Sequence, residues 1–194
     1  MPGTYTLPPI QAAADGVVMD ADGTQRRLFD YMGDRHVLLS FVYTKCTDSK
    51  GCPLATAILQ LVERALEEEP ELSGSIRLVT LSFDPERDTP EAMREYASHA
   101  SNDYLDTKWN ERPWVFLTTS SPAEVQPILD GFGQYIVPEI NESGEWTGDF
   151  SHVLKVYLID PQRRVRNIYS SSFIHPATTI NDLKTLLMEA AGTG

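Results

Sequence analysis

Val37-Leu38-Leu39-Ser40-Phe41-Val42-Tyr43 is almost continuously apolar, the pattern of a strand buried on both faces rather than one with a wet side. Downstream, Leu54, Ile58, Leu61, Val62 and Ala65 recur at helical spacing, with Glu63, Glu67 and Glu68 assigned to the opposite side. Pro53 suits the first turn of that helix, and Pro70 marks its stop. A second buried strand follows, Ile76-Arg77-Leu78-Val79-Thr80-Leu81-Ser82-Phe83. Strand, helix and strand in this order form a βαβ crossover, which requires the two strands to lie parallel.

The flanks extend the same pattern. Residues 1–14 read as an extended segment in which Pro8-Pro9 forbids helix. Gly16–Met19 and Gln25–Leu28 bracket Asp20-Ala21-Asp22-Gly23, a hairpin turn signal. On the other side, Thr89-Pro90 opens a helix with Met93, Tyr96 and Ala97 as its apolar stripe, and Trp114–Thr118 reads as a strand. Ser121-Pro122-Ala123-Glu124 predicts a helix start with a serine cap, a first-turn proline and a glutamate at the third position. Residues 133–151, rich in glycine, polar and acidic residues, read as a long loop with room for a hairpin, and such loops are often functional. Val153–Asp160 and Arg164–Tyr169 make two strands joined at Pro161-Gln162, and a final amphipathic helix carries Leu183, Leu186, Leu187 and Ala190. This order predicts an α/β, three-layer sandwich around a mixed central sheet, the thioredoxin-like arrangement with an amino-terminal β-hairpin. The expected organisation is an extended segment over 1–14 and one domain over 15–194.

The chain has 194 residues, 41% hydrophobic and 23% charged, with 16 Lys+Arg against 28 Asp+Glu and a net charge of −12. That length supports one domain with a real core. The acidic excess argues against a nucleic-acid partner, because phosphate binding needs a basic face. No run of about 18 apolar residues exists to span a bilayer, and no basic stretch followed by an apolar run marks a leader or anchor. Two cysteines, Cys46 and Cys52, cannot staple a domain of this size, but they can make a site.

Both thiols follow the carboxyl end of the first buried strand, where open α/β sheets place their sites. Cys52 falls at or next to the helix start, where unpaired N–H groups and the helix dipole favour a thiolate. Lys45 and Lys50 add positive charge beside them. The expectation is that both thiols have lowered pKa values and at least one is accessible. The alternative is a structural disulfide, although so short a loop gains little chain-entropy stabilisation. His152 follows the polar loop at the mouth of a predicted strand. In a thioredoxin-like layout that point neighbours the amino end of the first helix, which sets His152 apart from His36, His99 and His175. Two thiolates and an imidazole form a soft donor set that suits Cu(I), or Cu(II) with a tetragonal adjustment, and disfavours Mg and Ca. Zn(II) with an open position fits the same donors. The net negative charge left by two thiolates and Cu(I) could be offset by Lys45 or Lys50. The five methionines are scattered, so there is no Met-rich copper tract. In Asp84-Pro85-Glu86-Arg87-Asp88-Thr89-Pro90, Asp88 and Thr89 are helix caps, and Asp84 falls near the edge of the site as a supporting group. Trp109, Trp114 and Trp146 read as packing or rim residues.

With these pieces in order, the chain resembles the SCO/SenC family of thioredoxin-like copper proteins. The resemblance lies in Tyr43-Thr44-Lys45-Cys46, Cys52-Pro53, the Asp84–Pro90 string, and His152 ahead of Tyr157-Leu158-Ile159-Asp160. It implies that Cys46, Cys52 and His152 hold one copper ion, and that the function is metallochaperone delivery to a protein client such as the copper A site of cytochrome c oxidase. It also implies a periplasmic or otherwise exported location, with a leader or membrane anchor outside this sequence. The chain departs from the family in having five residues between the cysteines instead of three, Thr47 in place of the usual proline, and Ser151 where an acidic residue is common. The competing reading is a thiol–disulfide oxidoreductase acting on client cysteines through Cys46 and Cys52. The C-x-x-C spacing typical of such catalysts is absent. A thiol peroxidase ranks third, since its supporting Thr and Arg contacts are not evident.

Overall fold

The computed structural model describes residues 1–101 and 111–192. It opens with β1 (Gln11–Ala12), the hairpin of β2 (Val17–Asp20) and β3 (Gln25–Arg27), and a short helix α1 (Leu28–Met32). Next come β4 (His36–Val42), α2 (Cys52–Glu67), the short α3 (Pro70–Ser73) and β5 (Ile76–Ser82). They are followed by α4 (Pro90–Ala100), β6 (Trp114–Thr118) and α5 (Pro122–Phe132). The chain ends with β7 (Ile136–Ile140), β8 (Trp146–His152), β9 (Lys155–Ile159), β10 (Arg164–Ser170) and α6 (Pro176–Gly192).

Eight strands form one mixed sheet in the order β1-β10-β9-β4-β5-β6-β2-β3. Its centre is the parallel run β4, β5 and β6, and its other pairings are antiparallel. Every residue of β4 and β5 is buried because helices cover both faces. Leu39, Phe41, Val79 and Leu81 face a core completed by α1 and α5. Leu38, Ile76 and Leu78 face one completed by α2, α4 and α6. Each such side chain contributes about 1.5–3 kcal/mol on burial. The polar side chains inside these strands are paired: Ser40 and Thr80 share a hydrogen bond of 3.0 Å, and Trp114 Nε1 donates to Thr80 at 2.9 Å.

Several expectations need correction. The buried stripe of α2 is Ala55, Leu59, Val62 and Leu66, while Leu61 is exposed. Glu63, assigned to the wet side, is buried and accepts a 2.8 Å bond from Ser101 Oγ at the end of α4. Ser121 is the N-cap of α5 but makes no side-chain cap bond; Glu124 instead accepts from Ser120 N–H at 3.0 Å. Helix α1 is too short to show a period, and it buries Leu28, Tyr31 and Met32 behind the hairpin. Trp114 stacks on Phe116 inside the core, Trp146 lies half-exposed on β8, and Trp109 lies outside the described residues.

Residues 133–151 hold the hairpin for which the loop left room, and the difference lies in His152. They form the two-stranded hairpin β7–β8, and His152 is the last residue of β8, paired with Ile136, not the mouth of the next strand. Asn141 builds the turn by accepting from the N–H groups of Ser143 and Glu145, both at 2.9 Å. The hairpin stands off the main sheet with most residues exposed, so it lacks the apolar alternation by which half-buried strands are read.

Candidate metal centre

The site forms where β4 runs out into the turn before α2. Asp88, fully buried, fixes that turn: it accepts from Thr44 N–H at 3.0 Å, Thr44 Oγ1 at 2.6 Å and Ser82 Oγ at 2.5 Å. One carboxylate therefore joins the β4–α2 turn to the end of β5, two residues before Cys46. Asp48 shapes the rest of the turn, with its carbonyl taking Gly51 N–H and its side chain taking Lys50 N–H, both at 2.9 Å. Gly51 is the N-cap of α2, and a Cβ there would sit 3.3 Å from Cys46 Sγ. Glycine thus lets the first sulfur lie close over the helix start where Cys52 begins α2.

His152 Nε2 lies 3.7 Å from Cys52 Sγ, and the donor atoms of Cys46, Cys52 and His152 all lie within 4.8 Å of one another. The imidazole is walled by aromatic edges, with its centroid 5.2 Å from that of Phe83 and 5.9 Å from that of Tyr43. Its Nδ1 is buried without a hydrogen-bond partner. A metal with M–S of about 2.3 Å and M–N of about 2.0 Å separates its S and N donors by about 3.7 Å at a trigonal angle. The Cys52–His152 spacing therefore fits a shared ion, and among the described residues this is the group of three soft donors that could hold one.

Both cysteines are free thiols, and they are not alike. Cys46 is pulled down to about 5, chiefly because the Cys52 thiol donates to its sulfur; burial opposes this, and Cys52 N–H and His152 add to it. Cys52 is pushed up, because its proton is held against the Cys46 sulfur and it is deeply buried. The expectation that both thiols are lowered is thus corrected. The helix start acts on a pair that shares one proton, and the more accessible sulfur becomes the anion. Lys45 and Lys50 are exposed, and they are not among the main causes of the Cys46 shift.

Asp84 is buried and accepts from Arg87 Nε. Arg87 in turn donates through Nη1 to Gly148 O on the hairpin at 2.7 Å. Sequence reasoning missed Arg87 and the bridging part played by Asp88. Their signal was the density of charge in Asp84–Pro90 directly after a buried strand at the same sheet end as the cysteines. A cavity of about 510 Å³ opens between α2 and α4, lined by Cys46, Cys52, Lys45, Thr56, Tyr96 and His99. A second cleft of about 280 Å³, lined by Cys46, Asp48, Glu139, Asp149 and His152, approaches from the hairpin side. Cys46 borders both.

Comparison with known proteins gives a consistent result. A family model described as SCO1/SenC matches residues 11–188. The mitochondrial SCO2 homologue of Danio rerio is 30% identical over 146 residues, covering 74% of this chain and 46% of that protein. The chain spans about half the length of the curated relatives it matches. Among solved structures, Arabidopsis thaliana ScoI with copper bound matches at a TM-score of 0.71 and 20% identity, over 91% of this chain and 99% of that one. A SCO1/SenC family lipoprotein from Bacillus anthracis matches at 0.74 and 22%, over 94% and 99%. These likenesses show the fold. Among the described residues, no helix is long and apolar enough to cross a membrane.

Proposed function

The chain belongs to the SCO1/SenC family, and on that premise we propose that it takes one copper ion on Cys46, Cys52 and His152 and passes it to a protein client. The observation that carries the reading is the convergence of the three donor atoms within 4.8 Å. Soft thiolates with an imidazole suit copper, and a relative of the same fold has been solved with copper bound. Copper is cargo here, so the chain's task is to hold it and release it. Cys46, lowered to about 5, presents a thiolate at neutral pH without prior proton loss. Cys52 keeps its proton until a metal replaces it, so loading releases a proton and unloading recovers one. Transfer proceeds by ligand exchange, with client donors replacing those of this chain one at a time. Family resemblance makes the copper A site of cytochrome c oxidase the client of choice. Mitochondrial proteins and a lipoprotein among the relatives favour an exported or membrane-anchored setting, periplasmic in a bacterium.

Anaerobic titration of the reduced protein with Cu(I) and Cu(II) tests this reading. The expected result is one copper per chain and a thiolate-to-Cu(II) charge-transfer band that shifts or disappears in His152→Ala while the fold is kept. An unchanged band in that variant would remove His152 from the ligand set. The low pKa of Cys46 beside a protonated Cys52 also favours a second reading, a thiol–disulfide oxidoreductase. Reduction of a client disulfide that survives His152→Ala but is lost in Cys46→Ser would support it.

A further inference from the structure

We propose that Arg87 is a positioning residue: it holds the β7–β8 hairpin against the sheet and so sets where His152 meets the two thiols. The inference rests on the copper reading above, because it concerns how the third ligand of that reading is placed. His152 is carried by a hairpin whose strands pair only with each other among the described residues; the chain joins the main sheet three residues later, at Lys155 of β9, which anchors one end of β8 and leaves the rest of the hairpin outside the ladder. The thiols, in contrast, sit on the turn and helix that leave β4. Arg87 ties the two parts together along the length of β8, through three kinds of contact at once. Its Nε donates to Asp84, a buried carboxylate two residues beyond β5. Its Nη1 donates to Gly148 O of β8 at 2.7 Å. Its guanidinium lies 4.8 Å from the ring of Trp146 and 5.5 Å from that of Phe150, both on β8, and 5.7 Å from that of Tyr43 on the core side.

Gly148 has φ of +93°, and a Cβ there would lie 3.7 Å from Arg87 Nη1, so the strand is shaped to bring its carbonyl to the guanidinium. Gly148 and His152 lie four residues apart on one extended strand, and Phe150 between them packs on Phe83 and Tyr43 with centroids 5.5 and 5.3 Å apart. Other ties are present, with Tyr43 Oη donating to Asp149 at 3.3 Å and Gln134 Nε2 donating to Val153 O at 2.9 Å. Neither grips rings and backbone together. Only a planar fork can satisfy a carboxylate, a carbonyl and stacked rings at the same time; a lysine keeps the charge and loses the fork.

The test compares Arg87→Ala, Arg87→Lys and Trp146→Ala, the last removing the clamp from the half-exposed hairpin side. In metal-free protein, amide exchange over residues 146–152 is expected to accelerate in Arg87→Ala and Trp146→Ala, while β4 and β5 keep their protection. With copper, the charge-transfer band of Arg87→Ala moves toward that of His152→Ala, and Cu(I) affinity falls by about tenfold or more. Arg87→Lys recovers part of both. The double variant Arg87→Ala/His152→Ala binds no more weakly than His152→Ala alone, because the effect runs through the imidazole. Unchanged hairpin exchange, or a loss of affinity that adds fully to that of His152→Ala, overturns the inference. If His152→Ala alone leaves the copper spectrum unchanged, the ligand set of the copper reading fails, and the metal-free exchange still decides whether Arg87 holds the hairpin.

Discussion

At the scale of single residues, the two cysteines divide one ionisation between them. The sulfur that can shed its proton is Cys46, lowered to about 5, and the deeply buried Cys52 is raised to keep its own. A lowered pKa means the anion is present at every pH above that value and is lost as pH falls through it. In reduced, metal-free protein, alkylation of Cys46 by iodoacetamide is therefore expected to be at its plateau at pH 7 and to halve near pH 5. Cys52 should stay largely unmodified throughout. Mass spectrometry of the peptides containing each cysteine reads both rates. A Cys46 profile with its midpoint near the ordinary thiol value of about 8.5 would refute the division. The sequence puts both thiols after the end of a buried strand, Cys52 at a helix start and two lysines beside them, and those local signals lower both. The asymmetry depends on which sulfur is buried and which accepts the other's proton, and only the folded turn decides that.

At the scale of elements, the site is assembled from pieces held together by long-range polar contacts. Asp88 joins the β4–α2 turn to β5, with three donors on one fully buried carboxylate. Asp88→Ala leaves those donors unmatched, and the expected loss of stability is about 2–4 kcal/mol, read by urea denaturation, with weaker copper binding from the loosened turn. A loss below 0.5 kcal/mol would mean the turn holds itself. Strands β4 and β5 were legible because both of their faces are dry and their apolar run is unbroken. The start of α4 was legible too, since Thr89 Oγ1 accepts from Ala92 N–H at 3.3 Å ahead of Pro90, a local signal. Asp88 reads from sequence only as a cap, because its partners Thr44 and Ser82 belong to other elements. The hairpin reads from sequence as a loop with room for one, since its strands are mostly exposed and their apolar residues show no two-residue alternation. Arg87 was missed for a related reason: its partners Trp146, Gly148 and Phe150 lie some sixty residues away in sequence.

At the scale of the whole molecule, acid stability turns on a network at the opposite end of β9. Asp160, nearly fully buried, pairs with Arg164 at 2.7 Å and Arg166 at 3.0 Å, and Arg166 continues to Glu189 of α6 at 2.8 Å. Burial alone would raise the Asp160 carboxyl, but the hydrogen bonds from Arg164 and Arg166 outweigh it and leave it lowered. A carboxylate lowered by folding stabilises the fold at pH values above its unfolded pKa, and that contribution is lost as pH falls through the folded value. Asp160→Asn is expected to cost about 2 kcal/mol at pH 7, since it removes the charge that two arginines share and leaves buried Arg166 with Glu189 alone. The gap from the unsubstituted protein should narrow below about pH 4, where this carboxyl takes up its proton in the unfolded chain while the folded one still holds its charge. Melting temperatures of both proteins between pH 3 and pH 7 check this, and a constant gap would count against it. The wide sheet ends in β1, two residues long, and in β3, three residues long with two arginines. Edges so short and charged give another chain almost no unpaired backbone on which to lengthen the sheet. The eight-stranded sheet is thereby guarded against lengthening edge to edge with a second copy of the chain.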